Sequence, residues 1–284
     1  MELVYLDQNA LINLGRKALG SAEFRAKIDA AIESGSLTVV VSSWHLIETA
    51  NTAKIENAAK LADFIDSLRP AWLLERYNIQ TLEVHEDFFA FAKLEFPKKP
   101  RVGTRSAVMA ALNRQRDSSK FDIPSRAFVE QWINYPEQLE VLKKPYKDNE
   151  QALLRLRQAV KDQKITAEIH KLTNQVFLKE HMPKLTPSGL EVPRSSAAEY
   201  IERANIDSIA TFVLEKAISN DQWSSQGGTD RNTLIDKFHL IPALPYVDKI
   251  VSDDAFFHKI YPVVQKTGYV RAKLLTFDDF VKRF

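Results

Sequence analysis

The segment LTVVVSS, residues 37–43, decides the fold. Its Thr and three Val are β-branched, it carries no charge, and it shows no alternation of apolar with polar residues. A strand apolar on both faces must be covered on both sides, which is the situation of a parallel sheet between helices. The run ends in Ser42 and Ser43, either of which suits the N-cap of a helix expected from Trp44 to about residue 60. Upstream, ELVYL (2–6) is a second apolar run, and it stops at Asp7. Ala10, Leu11 and Leu14 follow at helical spacing, then a helical segment from Phe24 to Ile32, with Gly15 and Gly35 expected as breaks. Strand, helix, strand, helix is an α/β opening.

The other end of the chain repeats this character. Residues 230–243 read as a helix capped by Thr229 or Asp230, KIVSDD (249–254) as a strand ending in acids, and AKLLTFDDFVKRF (272–284) as a strand and a short helix. The middle differs: its pattern is amphipathic and helical, interrupted at Pro70, Pro97, Pro100, Pro124, Pro136, Pro145, Pro183 and Pro193. IQTLEV (79–84) is its one good strand candidate, and no repeat of fixed period occurs. The expected organisation is a discontinuous α/β domain, residues 1–60 and 220–284, with a mostly α-helical insertion over 61–219.

Composition removes several function classes. With 45% hydrophobic and 27% charged residues the 284-residue chain is ordinary globular protein, one large domain or one with a substantial insertion. Cysteine is absent, which excludes disulfides, zinc–thiolate sites and cysteine nucleophiles together. MELVYLDQNAL has no basic n-region, and no uninterrupted apolar run reaches about 18 residues, so no membrane span is expected and the cytosol is the expected compartment. A net charge of +2 does not announce a polyanion partner. Local runs say more: between Phe96 and Arg116 lie Lys98, Lys99, Arg101, Arg105, Arg114 and Arg116 with no acid, and Arg155, Arg157, Lys161 and Lys164 stand against Asp162 alone. Either run alone could be a solvated helix face; together they suit a phosphate backbone.

Four acids fall at positions that the element reading makes special. Asp7 follows the first strand, Glu48 lies in the helix after the second, Asp236 in the helix before KIVS, and Asp254 just beyond that strand. Sites in open parallel sheets form at the carboxyl ends of strands. Clustered carboxylates repel one another unless a cation lies among them, and Mg²⁺ or Mn²⁺ is a hard ion that takes carboxylates, waters and substrate phosphate. That set of donors suits metal-assisted phosphodiester hydrolysis. Taken singly, each acid could equally be a turn residue or a helix cap.

VYLDQNALINL resembles the opening of PIN domains, a hydrophobic strand followed by Asp-x-Asn and a helix. VVVSSWHLIETAN is similar to the second motif of that family, in which a Ser-capped helix presents a Glu. IDKFHLIPALPYVDKIVSDDAFF resembles the third and fourth, with Ser252 16 residues after Asp236 and Asp254 two further on, and LLTFDDFVKRF is similar to the last strand and helix. The resemblance covers residues 1–60 and 229–284, under half the chain. It implies a PIN-like parallel sheet flanked by helices and a Mg²⁺- or Mn²⁺-dependent ribonuclease acting on single-stranded RNA, with an inhibitor or a second copy as further partner. Asp7, Glu48, Asp236 and Asp254 match the four metal-binding acids, Asn9 the polar residue supporting the first Asp, and Ser252 the Ser or Thr near the metal. Lys98, Lys99, Arg101 and Arg105 are the expected RNA contacts.

Three neighbours stay open. His239, one turn after Asp236, shares its face and could contact a phosphate or be a satisfied core histidine. Asp248 is a fifth acid, but at the opposite end of the KIVS strand from Asp254. Asp253 adjoins Asp254, and adjacent residues at a strand end point apart. Histidines 45, 85, 170, 181 and 258 show no metal-ligand spacing. Among other readings, a HAD-type phosphotransferase needs a second Asp where this chain has Asn9, and a Walker-type site needs a glycine-rich loop that is missing. A non-catalytic RNA-binding or scaffolding protein of the same fold is the alternative from a different class.

Overall fold

A computed structural model describes residues 2–51, 54–96, 98–112, 117–144, 167–183, 192, 194–203, 205–224 and 241–284. Six strands form one sheet in the order β4-β3-β2-β1-β5-β6. β1 (Glu2–Leu6) and β2 (Leu37–Val41) lie at its centre, paired in parallel with Val4 opposite Val39 and Tyr5 opposite Val40. β5 (Lys249–Val251) runs parallel to β1 on the other side, with Tyr5 opposite Ile250, and β6 (Lys273–Leu275) is parallel beyond it. β3 (Ala71–Leu73) is parallel to β2, and β4 (Val102–Gly103) closes that edge antiparallel.

The apolar runs are buried on both faces, as their composition requires. Val4, Leu6, Val39, Val41, Trp72 and Val251 point into one core with α1 (Gln8–Gly20), α2 (Ala22–Glu33), α3 (Ser43–Ala50), α4 (Ile55–Ser67), α7 (Ser125–Asn134) and α12 (Phe277–Val281). Tyr5, Val40, Leu73 and Ile250 point the other way, into a core with Ile79 of α5 (Arg76–Phe91), Leu214 and Ile218 of α10 (Ala210–Ser224), and Phe257, Ile260 and Val264 of α11 (Ala255–Gln265). The result is a three-layer α/β/α arrangement. A third cluster joins Val84, Phe88 and Phe89 of α5 to Leu178 of α8 (Ala167–His181) and Tyr200 of α9 (Arg194–Arg203). Also described are α6 (Arg105–Leu112), a 3₁₀ turn at Ser119–Phe121, and helical residues 136–144 and 241–243.

Several expectations need correction. IQTLEV is not a strand: it lies inside α5, where Ile79, Gln80, Glu83, Val84 and Phe88 are buried at helical spacing. The interval expected to be helical supplies two strands, β3 and β4, each too short to show a period in sequence. The helix expected from Trp44 onward is two helices, α3 ending at Ala50 and α4 beginning at Ile55. Gly15 does not break α1. A Cβ there would stand 3.1 Å from the Phe64 ring, so the glycine lets α4 approach α1. Gly35, at φ 70°, is a true turn residue.

Candidate functional site

Because β2, β1 and β5 are parallel neighbours, their carboxyl ends lie side by side, and each is followed by an acid. Asp7 comes directly after β1, Glu48 lies in the helix after β2, and Asp254 three residues beyond Val251. Asp7 is buried at 6% exposure, and its Oδ1 accepts a hydrogen bond from Ala10 N at 2.6 Å as N-cap of α1. Asp254 caps α11 in the same way, accepting from Phe256 N at 2.6 Å. Its Oδ2 is outside that bond. Asp236 and His239 lie outside the described residues.

Ser252, fully buried, accepts a hydrogen bond from Asp254 N at 3.0 Å and so shapes the turn that carries the acid. Asn9 is exposed in the first turn of α1. Asp253 turns away: its Oδ1 accepts from Phe277 N at 2.9 Å, at the start of α12. Asp248 does not belong to this edge. It begins β5 at the amino end of the sheet, where it accepts from Leu3 N at 2.8 Å and pairs with Arg271 at 2.5 Å. The backbone at Leu3 and the Arg271 charge hold its carboxyl below the usual range against the opposing effect of burial.

The four expected RNA contacts divide between the two edges, and the antiparallel β4 is the reason. Arg101 O accepts from Leu74 N at 2.9 Å, so the chain carrying Lys98 and Lys99, both exposed, reaches the sheet at its carboxyl edge. Arg101 itself is buried at 8% exposure, forked onto Glu86 at 2.9 and 2.7 Å, with its guanidinium 5.4 Å from the Tyr246 ring centre. Such a guanidinium is committed to the interior. Arg105, beyond β4, lies toward the amino edge and pairs with Asp66 at 2.7 Å, beside Ser125. Neither arginine is a solvent-facing phosphate contact. The second basic run, 155–164, lies outside the described residues.

Sequence reading passed over two features of this edge. Glu75, buried at 5% exposure, follows β3 at the N-cap position of α5. PAWLLE repeats the pattern of an apolar run ending in an acid that marks ELVYLD, and this was the available signal. Beneath the acids lies a buried polar layer. The Tyr5 hydroxyl is 3.3 Å from Ser42 Oγ, and His45, with no exposure, meets Ser42 N at 2.9 Å through Nδ1 and Leu6 O at 2.7 Å through Nε2. Burial pushes the Tyr5 phenol well above its ordinary value. Its bond with Ser42 opposes the shift, while the charges of Glu48, Asp7 and Glu75 add to it. Tyr5 therefore stays neutral and senses three of the edge acids at once.

Carboxylate oxygens are the donors a hard divalent cation selects, so the residue types fit Mg²⁺ or Mn²⁺. Among the described residues, however, no group of three or more His, Asp or Glu is placed to hold one ion. Nor is any described helix long and apolar enough to cross a membrane. Comparison with models of known families, with curated proteins and with solved structures finds no match.

Proposed function

We propose that this chain is a PIN-like, Mg²⁺- or Mn²⁺-dependent endoribonuclease that hydrolyses phosphodiester bonds of single-stranded RNA in the cytosol. One observation supports the reading above the rest: three adjacent parallel strands are each followed by an acid at the same edge, which is where open α/β sheets build their sites. In this reading Asp7, Glu48, Asp236 and Asp254 hold the ion. When bound, the ion lowers the pKa of a coordinated water and steadies charge on the leaving oxygen. Ser252 fixes the turn that carries Asp254. Lys98 and Lys99, arriving at the same edge, draw a polyanion toward carboxylates that would otherwise repel it.

A non-catalytic PIN-like RNA-binding or scaffolding protein is the second reading. It is favoured by the helix-capping work that already accounts for Asp7 and Asp254, and by the lack of a three-acid metal group among the described residues. Incubation of single-stranded RNA with the protein and Mn²⁺ or Mg²⁺, then with excess EDTA, separates the two. The nuclease reading expects cleavage that stops on chelation and returns with the metal. Cleavage that survives exhaustive chelation, or normal turnover by Asp254→Asn, refutes it. RNA binding without any cleavage in Mn²⁺ supports the second reading.

A further inference from the structure

The ladder between β1 and β2 runs to the Tyr5–Val40 pair. Past that pair, where the acids begin, side chains take over the connection. His45 Nδ1 accepts from Ser42 N at 2.9 Å, so Nε2 carries the ring proton and donates it to Leu6 O at 2.7 Å. Gln8 Nε2 donates to Thr49 Oγ1 at 3.0 Å, and that hydroxyl donates in turn to His45 O at 2.6 Å. The two bridges straddle the acids in both segments. Leu6 and Gln8 flank Asp7, while His45 and Thr49 lie on either side of Glu48, one helical turn apart on one face of α3. His45 and Thr49 have no exposure, so water does not reach their ends of these bonds.

We infer that His45 and the Gln8–Thr49 pair are positioning residues that set the separation of the Asp7 and Glu48 carboxylates, an assignment that rests on the metal-dependent reading above. A purely architectural role would cost stability alone. A positioning role changes metal affinity in a protein that remains folded.

The test compares Thr49→Val, Thr49→Ser, Gln8→Met and His45→Gln in the full chain, with Mn²⁺ titrated calorimetrically and folding checked by circular dichroism. Thr49→Val and Gln8→Met both remove the second bridge, and Gln8, only half-buried, can be changed without opening the core. Each should weaken Mn²⁺ binding about 10- to 100-fold, whereas Thr49→Ser, which keeps the hydroxyl, should stay within about threefold of wild type. Glutamine at position 45 can still complete the capping box with Ser42 N but loses the bond to Leu6 O, so His45→Gln should show a similar affinity loss with its helix intact. Folded Gln8→Met and Thr49→Val proteins that bind Mn²⁺ as wild type does would overturn the inference. If wild type binds no Mn²⁺, the metal reading itself falls, and a crystal structure of Gln8→Met decides the clamp. A Glu48 carboxylate displaced relative to Asp7 upholds it, and an unchanged one overturns it.

Discussion

Acidification should weaken this fold through His181, the last residue of α8. Its ring is buried between Tyr77 and Phe177, 4.6 Å from each ring centre, and Nδ1 lies 2.8 Å from Thr81 Oγ1. Burial, first, and then the nearby charges of Arg76 and His85 take its pKa from an ordinary 6.5 to about 4. Below pH 6.5 the unfolded chain binds a proton that the folded protein refuses until about pH 4. Stability from this residue is therefore complete above that window and lost as pH falls through it. At about 1.4 kcal/mol per pH unit the loss is capped near 3 kcal/mol, roughly 2 of which falls between about pH 7 and pH 4.5. Urea unfolding followed by circular dichroism at both pH values measures it, with His181→Gln as the control that cannot titrate. Carboxylates common to both proteins contribute equally, so wild type should lose about 2 kcal/mol more than the variant over that interval. Equal losses in the two proteins would refute the reasoning.

Asp254→Asn should abolish cleavage while leaving the melting temperature nearly unchanged, because asparagine caps a helix as well as aspartate does; activity and thermal melts on one preparation check both. Lys98→Ala with Lys99→Ala should weaken RNA binding and reduce the salt slope by roughly 0.7 for each phosphate of the single strand that the protein no longer neutralises, measured by fluorescence anisotropy at several salt concentrations. Arg105→Ala should leave RNA affinity alone and instead cost about 1–3 kcal/mol in urea unfolding, since it strips the charged partner from a half-buried Asp66 and leaves it only its bonds from Ser125. Gly15→Val should cost about 1–3 kcal/mol by driving Phe64 out of its place against α1, again read by urea unfolding.

What the sequence disclosed depended on whether a residue's environment lay within its own segment. β1 and β2 were legible as apolar runs that no half-exposed element would carry, and β5 as a short run ending in acids, and three of the edge acids followed from those strands. β3 and β4 were not, since AWL and VG owe their extension to pairing with β2 and with each other. IQTLEV has the β-branched residues of a strand, yet Gln80 and Glu83 are buried by partners far away in the chain. Glu83 accepts hydrogen bonds from Thr211 N at 3.1 Å, from the Thr211 hydroxyl and from Tyr246. No local pattern announces a carboxylate satisfied across 128 residues. Arg101 misled in the same way, because Glu86 and Tyr246, which take it out of solvent, meet it only in the folded protein.

The edge acids and the helices behind them also settle how a row of like charges can be tolerated. Asp7, Glu75 and Asp254 all occupy N-cap positions, of α1, α5 and α11. Each helix N-terminus presents unpaired N–H groups equivalent to about half a positive charge, worth roughly 0.3–1 kcal/mol to a nearby carboxylate. Asp7 and Asp254 each accept one of those groups through Oδ1. The cap fixes the carboxylate's orientation, and the helix field offsets part of the repulsion between neighbouring acids. Glu48, inside α3, has no such N-terminus at its own position; in the positioning role inferred above, the bridges through His45 and Thr49 take that part.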